Sequence, residues 1–472
     1  MSDGVEKSLI APPPRRLALL LALGPGLVWC GEYIGSGEVI LATRSGAIFG
    51  TAILWVPLWA IFAKFWIGLA GAHYTVTTGE GMIDMMGRTP GPRNWVIWPV
   101  FIGQVSSAAI STGALASVTG IFAAYFIPLP EFLLGWVAVL LVIALVWSGA
   151  FEPLKRVMTL LVLLIILGTF VVAVRTWPGL GPVIQGLFAF DVPQPHEWAR
   201  AKLAAPDRPW REILPLLGWA AGGFASQVWY TYWVLGAGYG MAKGRSYGQP
   251  LDAGALRALT AADAVRIRGW RRVVTVDASI AVCIGVSVTA AFAIAGNGIL
   301  GPLHIAPDGP TVAMELSRIF GEHWGQWGGH LFVLAGLAAM MSTMLGQFAG
   351  WPRLLSDCAR VLFPKTVTWP WKKQFQTVLV LFAVSNMLIV YSFGLKPVQL
   401  VQISAILDGL LLTPLQALAV GLTLYCVMPR FFSEEVRPLV RANKFFALGL
   451  ALAFFVFSYF CVFQLRHASF TG

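Results

Sequence analysis

Apolar residues fall in long runs along this chain, separated by short charged or Gly/Pro-rich punctuation. The runs lie near 17–47, 51–74, 95–126, 132–149, 152–174, 212–241, 273–298, 324–352, 374–394, 397–428 and 444–465. A helix needs about 20 apolar residues to cross a bilayer. Barrel strands are short and alternate apolar with polar positions, whereas these runs are long and continuously apolar. The pattern therefore predicts an all-α polytopic membrane protein with eleven transmembrane helices in one integrated domain, 1–472. The turn between the first two runs, Gly46–Gly50, is very short.

Two runs are interrupted from within. The first contains Gly31-Glu-Tyr-Ile-Gly-Ser-Gly-Glu38, and the sixth contains Ala221-Gly-Gly-Phe-Ala-Ser-Gln227. They stand five helices apart. An odd number of helices per repeat inverts the second copy in the membrane, so 17–174 and 212–428 read as two inverted five-helix repeats, with 444–465 as a peripheral eleventh helix. Interrupted helices at matching positions of two halves mark the binding site in secondary transporters. Glycines in membrane helices also serve ordinary close packing.

Composition narrows the class. Of 472 residues, 57% are hydrophobic and 12% charged, against about 25% charged in an average soluble domain. Soluble enzymes, disulfide scaffolds, nucleic-acid modules and disordered chains are excluded together. The net charge of +11 reports orientation instead. With the N-terminus cytoplasmic and the spans alternating, the inner segments hold 23 Lys and Arg and the outer ones eight. That asymmetry follows the positive-inside rule and puts the C-terminus outside. Lys64 and Arg44 lie within spans. The five cysteines are scattered, without a CxxC pair or metal-ligand spacing. The start of the chain reads as an uncleaved first helix.

The residues carry a family resemblance. Gly24-Pro-Gly-Leu, Glu32-Tyr-Ile-Gly-Ser-Gly-Glu38, Ala42-Thr43 and Ser45-Gly-Ala47 resemble the first helix of Nramp-type metal-ion transporters, where the run reads G-P…Y-I-D-P-G-N…A-T…G. Gly79-Glu-Gly-Met, Gly149-Ala-Phe-Glu-Pro-Leu-Lys155, Val276-Asp-Ala-Ser-Ile280 and Gln402-Ile-Ser-Ala-Ile-Leu-Asp408 extend the likeness through helix 10. The resemblance implies the LeuT-like fold. The functional motifs depart from the family. Gly35-Ser36-Gly37-Glu38 stands for D-P-G-N, and Ala225-Ser226-Gln227 for M-P-H. Tyr232 stands where the family has a second histidine. Helix 3 has no acidic residue or arginine between Trp95 and Phe126, so the family's proton route is missing. The chain looks like a divergent Nramp-related carrier. Ile34-Gly-Ser-Gly37 also resembles the first-helix glycine motif of amino-acid/cation carriers of the same architecture.

Ionisable residues inside a membrane are costly, so each is a functional candidate. On an unbroken helix Glu32 and Glu38 would lie about 9 Å apart along the axis; unwinding at Gly35–Gly37 lets both reach one cavity. The candidate metal- or substrate-binding set is Glu32, Gly35, Ser36, Glu38, Ser226, Gln227, Gln402 and Asp408. It holds oxygen donors alone, which suits hard cations such as Mg²⁺ or Mn²⁺. Against it stand a plain helix-terminal role for Glu38 or a pairing with Arg44, and a capping role for Asp408. Asp277 reads as a helix-terminal or salt-bridge residue. Ser342, Thr343 and Gln347 read as polar residues near the site.

The expected function is a secondary transporter moving a divalent metal cation by alternating access. The alternative is a LeuT-like carrier of an amino acid or other small organic solute. No HExxH or GxSxG motif stands in a suitable context, so an enzyme is not expected, nor a resident cofactor. The expected partners are the bilayer and a small ion or solute, without nucleic acid. The expected state is a monomer in a bacterial inner membrane.

Overall fold

The computed structural model describes residues 10–14, 18–19, 23–35, 37–203, 205–307, 326–365, 368–393 and 397–465. Each of the eleven apolar runs carries helix in it. The first is split into Pro25–Tyr33 and, after a break, a π-helical turn Gly37–Ala42 leading into Thr43–Phe49. The second is Trp55–Thr78, the third Ile97–Ala124, the fourth Glu131–Val146 and the fifth Phe151–Arg175. The sixth is split into Trp210–Trp219 and Phe224–Ala237. The seventh runs Ala261–Ala295 and ends in a π-helical turn, Gly296–Leu300. Gln326–Leu362, Trp371–Phe393, Pro397–Ser404 with its continuation to Leu422, and Lys444–Tyr459 complete the set.

Seven of these helices are individually long and apolar enough to cross a membrane. Of the other four among the described residues, the fourth is shorter, the first and sixth are broken, and the ninth, Trp371–Phe393, is not one of the seven. The outward faces are apolar, with Leu140, Leu167, Phe170, Leu381, Leu448 and Phe455 more than half exposed. In water such a surface would drive association; against lipid it is the expected exterior. The chain is an integral membrane protein.

Local chemistry sets the helix limits. Pro25 opens the first half-helix at a position where its missing N–H costs nothing. Thr260 and Asp263 form a reciprocal capping box at the start of the seventh span. The second span stops at Gly79, whose φ of +76° is the left-handed helix-ending conformation. The sequence placed the start of the seventh span near 273 and the end of the eighth near 352. The structure carries them to 261 and 362, because charged residues outside the bilayer continue a helix as readily as apolar ones inside it.

Packing places the two broken helices at the centre. Pro25–Tyr33 lies against the fifth, seventh and eighth spans and against Phe224–Ala237. Ile97–Ala124 forms an outer wall with the fourth, eighth and ninth spans. Asp277, expected at a helix end, caps another helix in trans. Its carboxylate accepts the N–H groups of Gly24 at 3.1 Å and Gly26 at 2.6 Å.

Candidate functional site

Each break leaves carbonyls without helical partners on one side and N–H groups without partners on the other. In the first span the chain leaves helix at Ile34 and Gly35. Ser36, one of the candidates, lies outside the described residues. In the sixth span Ala221 and Gly222 take φ of +61° and +68°. Ala221 carries its Cβ into a region that glycine enters without penalty.

Neighbouring spans satisfy the stranded groups. From the eighth, Ser342 donates to the carbonyl of Gly31 at 2.7 Å and Thr343 to that of Glu32 at 2.6 Å. From the second, the Lys64 ammonium reaches the end of the first half of the sixth. It donates to the carbonyls of Ala220 at 3.0 Å and Gly222 at 2.8 Å, and to that of Gly218. Lys64 is fully buried; it does not snorkel. Its charge lies within electrostatic reach of Asp408 and Glu38.

The carboxylates take the opposite ends. Asp408 sits in a π-helical turn, Ala405–Leu411, a distortion frequent at functional sites. Its Oδ1 accepts the N–H of Ala225 at 3.1 Å and the Gln104 amide at 2.6 Å. The same Gln104 accepts from the Trp351 indole at 2.7 Å. Glu32 accepts from the hydroxyl of Ser226, which in turn accepts from the Trp29 indole at 3.1 Å. Ala225 and Ser226 are consecutive, in the first turn of Phe224–Ala237. Carboxylates from the first and tenth spans therefore meet at the positive end of one half-helix. Glu38 bends back over its own break to accept the N–H of Gly35 at 3.1 Å, with the Thr289 hydroxyl at 3.5 Å.

The helices approach closely at this convergence. A Cβ on Gly35 would stand 1.8 Å from Thr343 Oγ1, one on Gly37 1.7 Å from the Trp219 indole, and one on Gly223 1.7 Å from Asp408 Oδ2. Gln227 donates to the carbonyl of Ala221 at 2.9 Å. Its Oε1 is a buried acceptor without a hydrogen-bond partner among the described residues, and so is the donor Nε1 of Trp219.

The candidates thus divide. Glu32, Ser226 and Asp408 come together at the sixth-span break; Gly35 and Glu38 lie at the first; Gln227 lines the return from the sixth. Gln402 stands apart. It donates to Glu212 at 3.3 Å in a cluster where Arg44 pairs with Glu212 at 2.9 Å and donates to the carbonyl of Pro307. The pairing considered for Arg44 and Glu38 is therefore replaced by one with Glu212, 168 residues away. At the other end of the bundle Arg360 pairs with Asp84 at 2.7 Å and Asp357 at 3.3 Å, and Tyr232 donates to Asp357 at 2.8 Å. Gln104, Thr289 and Lys64 were not among the candidates. The available signal was a polar side chain isolated in an apolar run. Among the described residues no three His, Cys, Asp or Glu side chains are grouped closely enough to hold a metal ion.

The chain is similar to known proteins in sequence over part of its length and in fold over nearly all of it. The family described as natural resistance-associated macrophage protein-like matches residues 26–205. The divalent metal cation transporter MntH of Yersinia enterocolitica is 26% identical over 200 residues, 40% of this chain and 47% of that protein. The chain spans about half the length of the curated relatives it matches. A solved manganese transporter of Eremococcus coleocola superposes with a TM-score of 0.67 at 14% identity, over 98% of this chain and 91% of that one. MhsT in complex with L-phenylalanine superposes with a TM-score of 0.56 at 15% identity, over 97% and 99%. The fold is the LeuT-like one.

Proposed function

We propose that this chain, an Nramp-related membrane protein, is a secondary transporter that carries a divalent cation by alternating access of the site between its broken helices. The observation that carries the reading is the meeting of Glu32 and Asp408 on Ser226 and Ala225. Glu32, Glu38 and Asp408 set against Lys64 leave two negative charges when all four are ionised. Buried charge is costly unless compensated, and one divalent cation balances that set. Every candidate side chain is an oxygen donor, which matches Mn²⁺ or Mg²⁺ better than softer metals.

In this structure each carboxylate is held by protein donors. Binding exchanges those hydrogen bonds for metal ligands, and the released half-helix ends are then free to move. The orphaned Gln227 Oε1 supplies a further oxygen. The same reading has a cytoplasmic N-terminus, supported by the excess of Lys and Arg in the inner segments, and a bacterial inner membrane, supported by the bacterial relatives the chain matches. The test is uptake into proteoliposomes: Glu38→Gln abolishes metal entry, and unchanged entry removes Glu38 from the mechanism.

The absence of a preformed three-ligand cluster among the described residues favours a second reading, a carrier of an amino acid or similar solute. Glu32 or Glu38 would then meet an ammonium and the half-helix N-terminus a carboxylate. Calorimetry with Mn²⁺ and Mg²⁺ against an amino-acid panel separates the two.

A further inference from the structure

Away from the broken helices, a groove of about 530 Å³ opens between the second, seventh and eleventh spans. Its rim is strongly basic. Arg268, Arg271 and Arg272 come from two successive turns of Ala261–Ala295, and Arg441 from the approach to Lys444–Tyr459. Its deeper wall is apolar, made by Phe65, Trp66, Leu69 and Phe446, with Phe445 at the lip.

The arginines differ in role. Arg271 is buried and tied down: it donates to Thr77 Oγ1 at 2.9 Å and to the carbonyls of Val440 at 2.6 Å and Arg441 at 3.4 Å. All of these acceptors are neutral. Arg268, Arg272 and Arg441 are exposed, and none pairs with a carboxylate among the described residues. Basic residues near the inner ends of spans report membrane orientation, and that role alone asks nothing of how they are grouped. Here two separate segments converge four guanidinium groups on one cavity without a counter-charge among the described residues.

Depth points to the ligand. Ala261–Ala295 is 35 residues long, about 50 Å at 1.5 Å per residue, and exceeds the about 30 Å hydrocarbon core. The apolar run within it begins near 273, so the arginine turns lie at headgroup level. Beyond the lip, the exposed face of the eleventh span continues as Phe445, Leu448, Leu452 and Phe455. That is an apolar track running from the basic rim into the bilayer.

We propose that this groove binds an anionic phospholipid, its phosphate held by Arg268, Arg272 and Arg441 and its chains laid along Phe445 and Leu448. Arginine holds phosphate oxygens in bidentate geometry, and basic pockets between membrane helices bind such headgroups. The site is independent of the transport reading.

The test is native mass spectrometry of the full-length protein in detergent. It is titrated with phosphatidylglycerol, phosphatidylcholine or inorganic phosphate. The native protein retains phosphatidylglycerol in preference to phosphatidylcholine. The combined Arg268→Ala, Arg272→Ala and Arg441→Ala variant retains it at least about tenfold less well, with an unchanged melting profile because all three side chains are exposed. Phe445→Ala weakens phosphatidylglycerol and leaves phosphate unaffected. Equal retention by the triple variant overturns the proposal. So does equal retention of the two lipids, or displacement of phosphatidylglycerol by inorganic phosphate, which would assign the rim to a free anion.

Discussion

The Lys64 ammonium donates to the carbonyl of Gly222 at 2.8 Å, across the gap between an intact helix and a broken one. A positive charge fixed at the carboxyl end of a half-helix satisfies stranded carbonyls and opposes the negative end of the dipole. Lys64→Met keeps the volume and removes every donor. The buried carbonyls of Gly218, Ala220 and Gly222 then lose their partner. An unsatisfied buried group costs about 1–3 kcal/mol. Loss of about 3 kcal/mol or more is expected, seen as a lower midpoint of thermal unfolding in detergent. A melting curve like that of the native protein would mean that water or another side chain takes over the cap.

The close approach of helices at the breaks gives a second prediction. Gly35→Ala drives a Cβ to 1.8 Å from Thr343 Oγ1, and Gly37→Ala drives one to 1.7 Å from Trp219. Overpacking of this kind costs about 1–3 kcal/mol. For Gly35 the clash is with one side chain, so Thr343→Ala removes its nearest atom, Oγ1, and eases the contact, leaving the Thr343 Cβ at 2.6 Å, while also removing the hydroxyl that caps the Glu32 carbonyl. Gly35→Ala combined with Thr343→Ala is therefore expected to be less unstable than the sum of the two changes. Strict additivity in that double-mutant cycle would remove the contact as the cause.

These relationships show what was legible in the sequence. Each apolar run carries helix in the structure, because a bilayer imposes length and apolarity on each helix separately. Both breaks were visible as glycine clusters. What the sequence could not supply was facing. Lys64 in an apolar run can snorkel or pair, and only the carbonyls of the sixth span around it show which groups it serves. Gln402 and Asp408 lie six residues apart on one segment, yet the π-helical turn beginning at Ala405 sends one to Glu212 and the other to Ala225. Asp277 shows the same limit: its partners are 253 and 251 residues away. Pairings of that kind are set by packing and leave no local pattern.

Gln104 provides a third test, because its amide serves two partners at once. It donates to Asp408 and accepts from Trp351. Gln104→Leu strands the Trp351 indole N–H and leaves Asp408 Oδ1 with the Ala225 N–H alone, with an expected loss of about 1–3 kcal/mol. Asp408→Asn alone weakens the same bridge. In proteoliposomes the two changes are expected to impair uptake non-additively, since both act through the orientation of Asp408. Independent effects would detach Gln104 from the site.

Asp84 lies outside the spans, in the short helix Met82–Gly87, and pairs with Arg360 at 2.7 Å. Burial pushes its carboxyl up from 3.8 to about 7, against the pull of Arg360, with Asp357 and Glu80 adding to the rise. The folded state therefore binds this proton more tightly than the unfolded chain. The stabilisation is complete below the unfolded value and is lost as pH rises through about 7. Stability should fall from about pH 4 to about 7, with a limiting slope of about 1.4 kcal/mol per pH unit for one proton, and level off above that range. Asp84→Asn holds the position neutral while keeping an acceptor for Arg360, and should flatten that slope. The check is the unfolding midpoint measured across this range for both proteins. An equal slope in the variant would assign the titration to another group. A rise in native stability with pH would reverse the sign of the argument, because it would mean that the Arg360 pair outweighs the cost of burying the carboxylate.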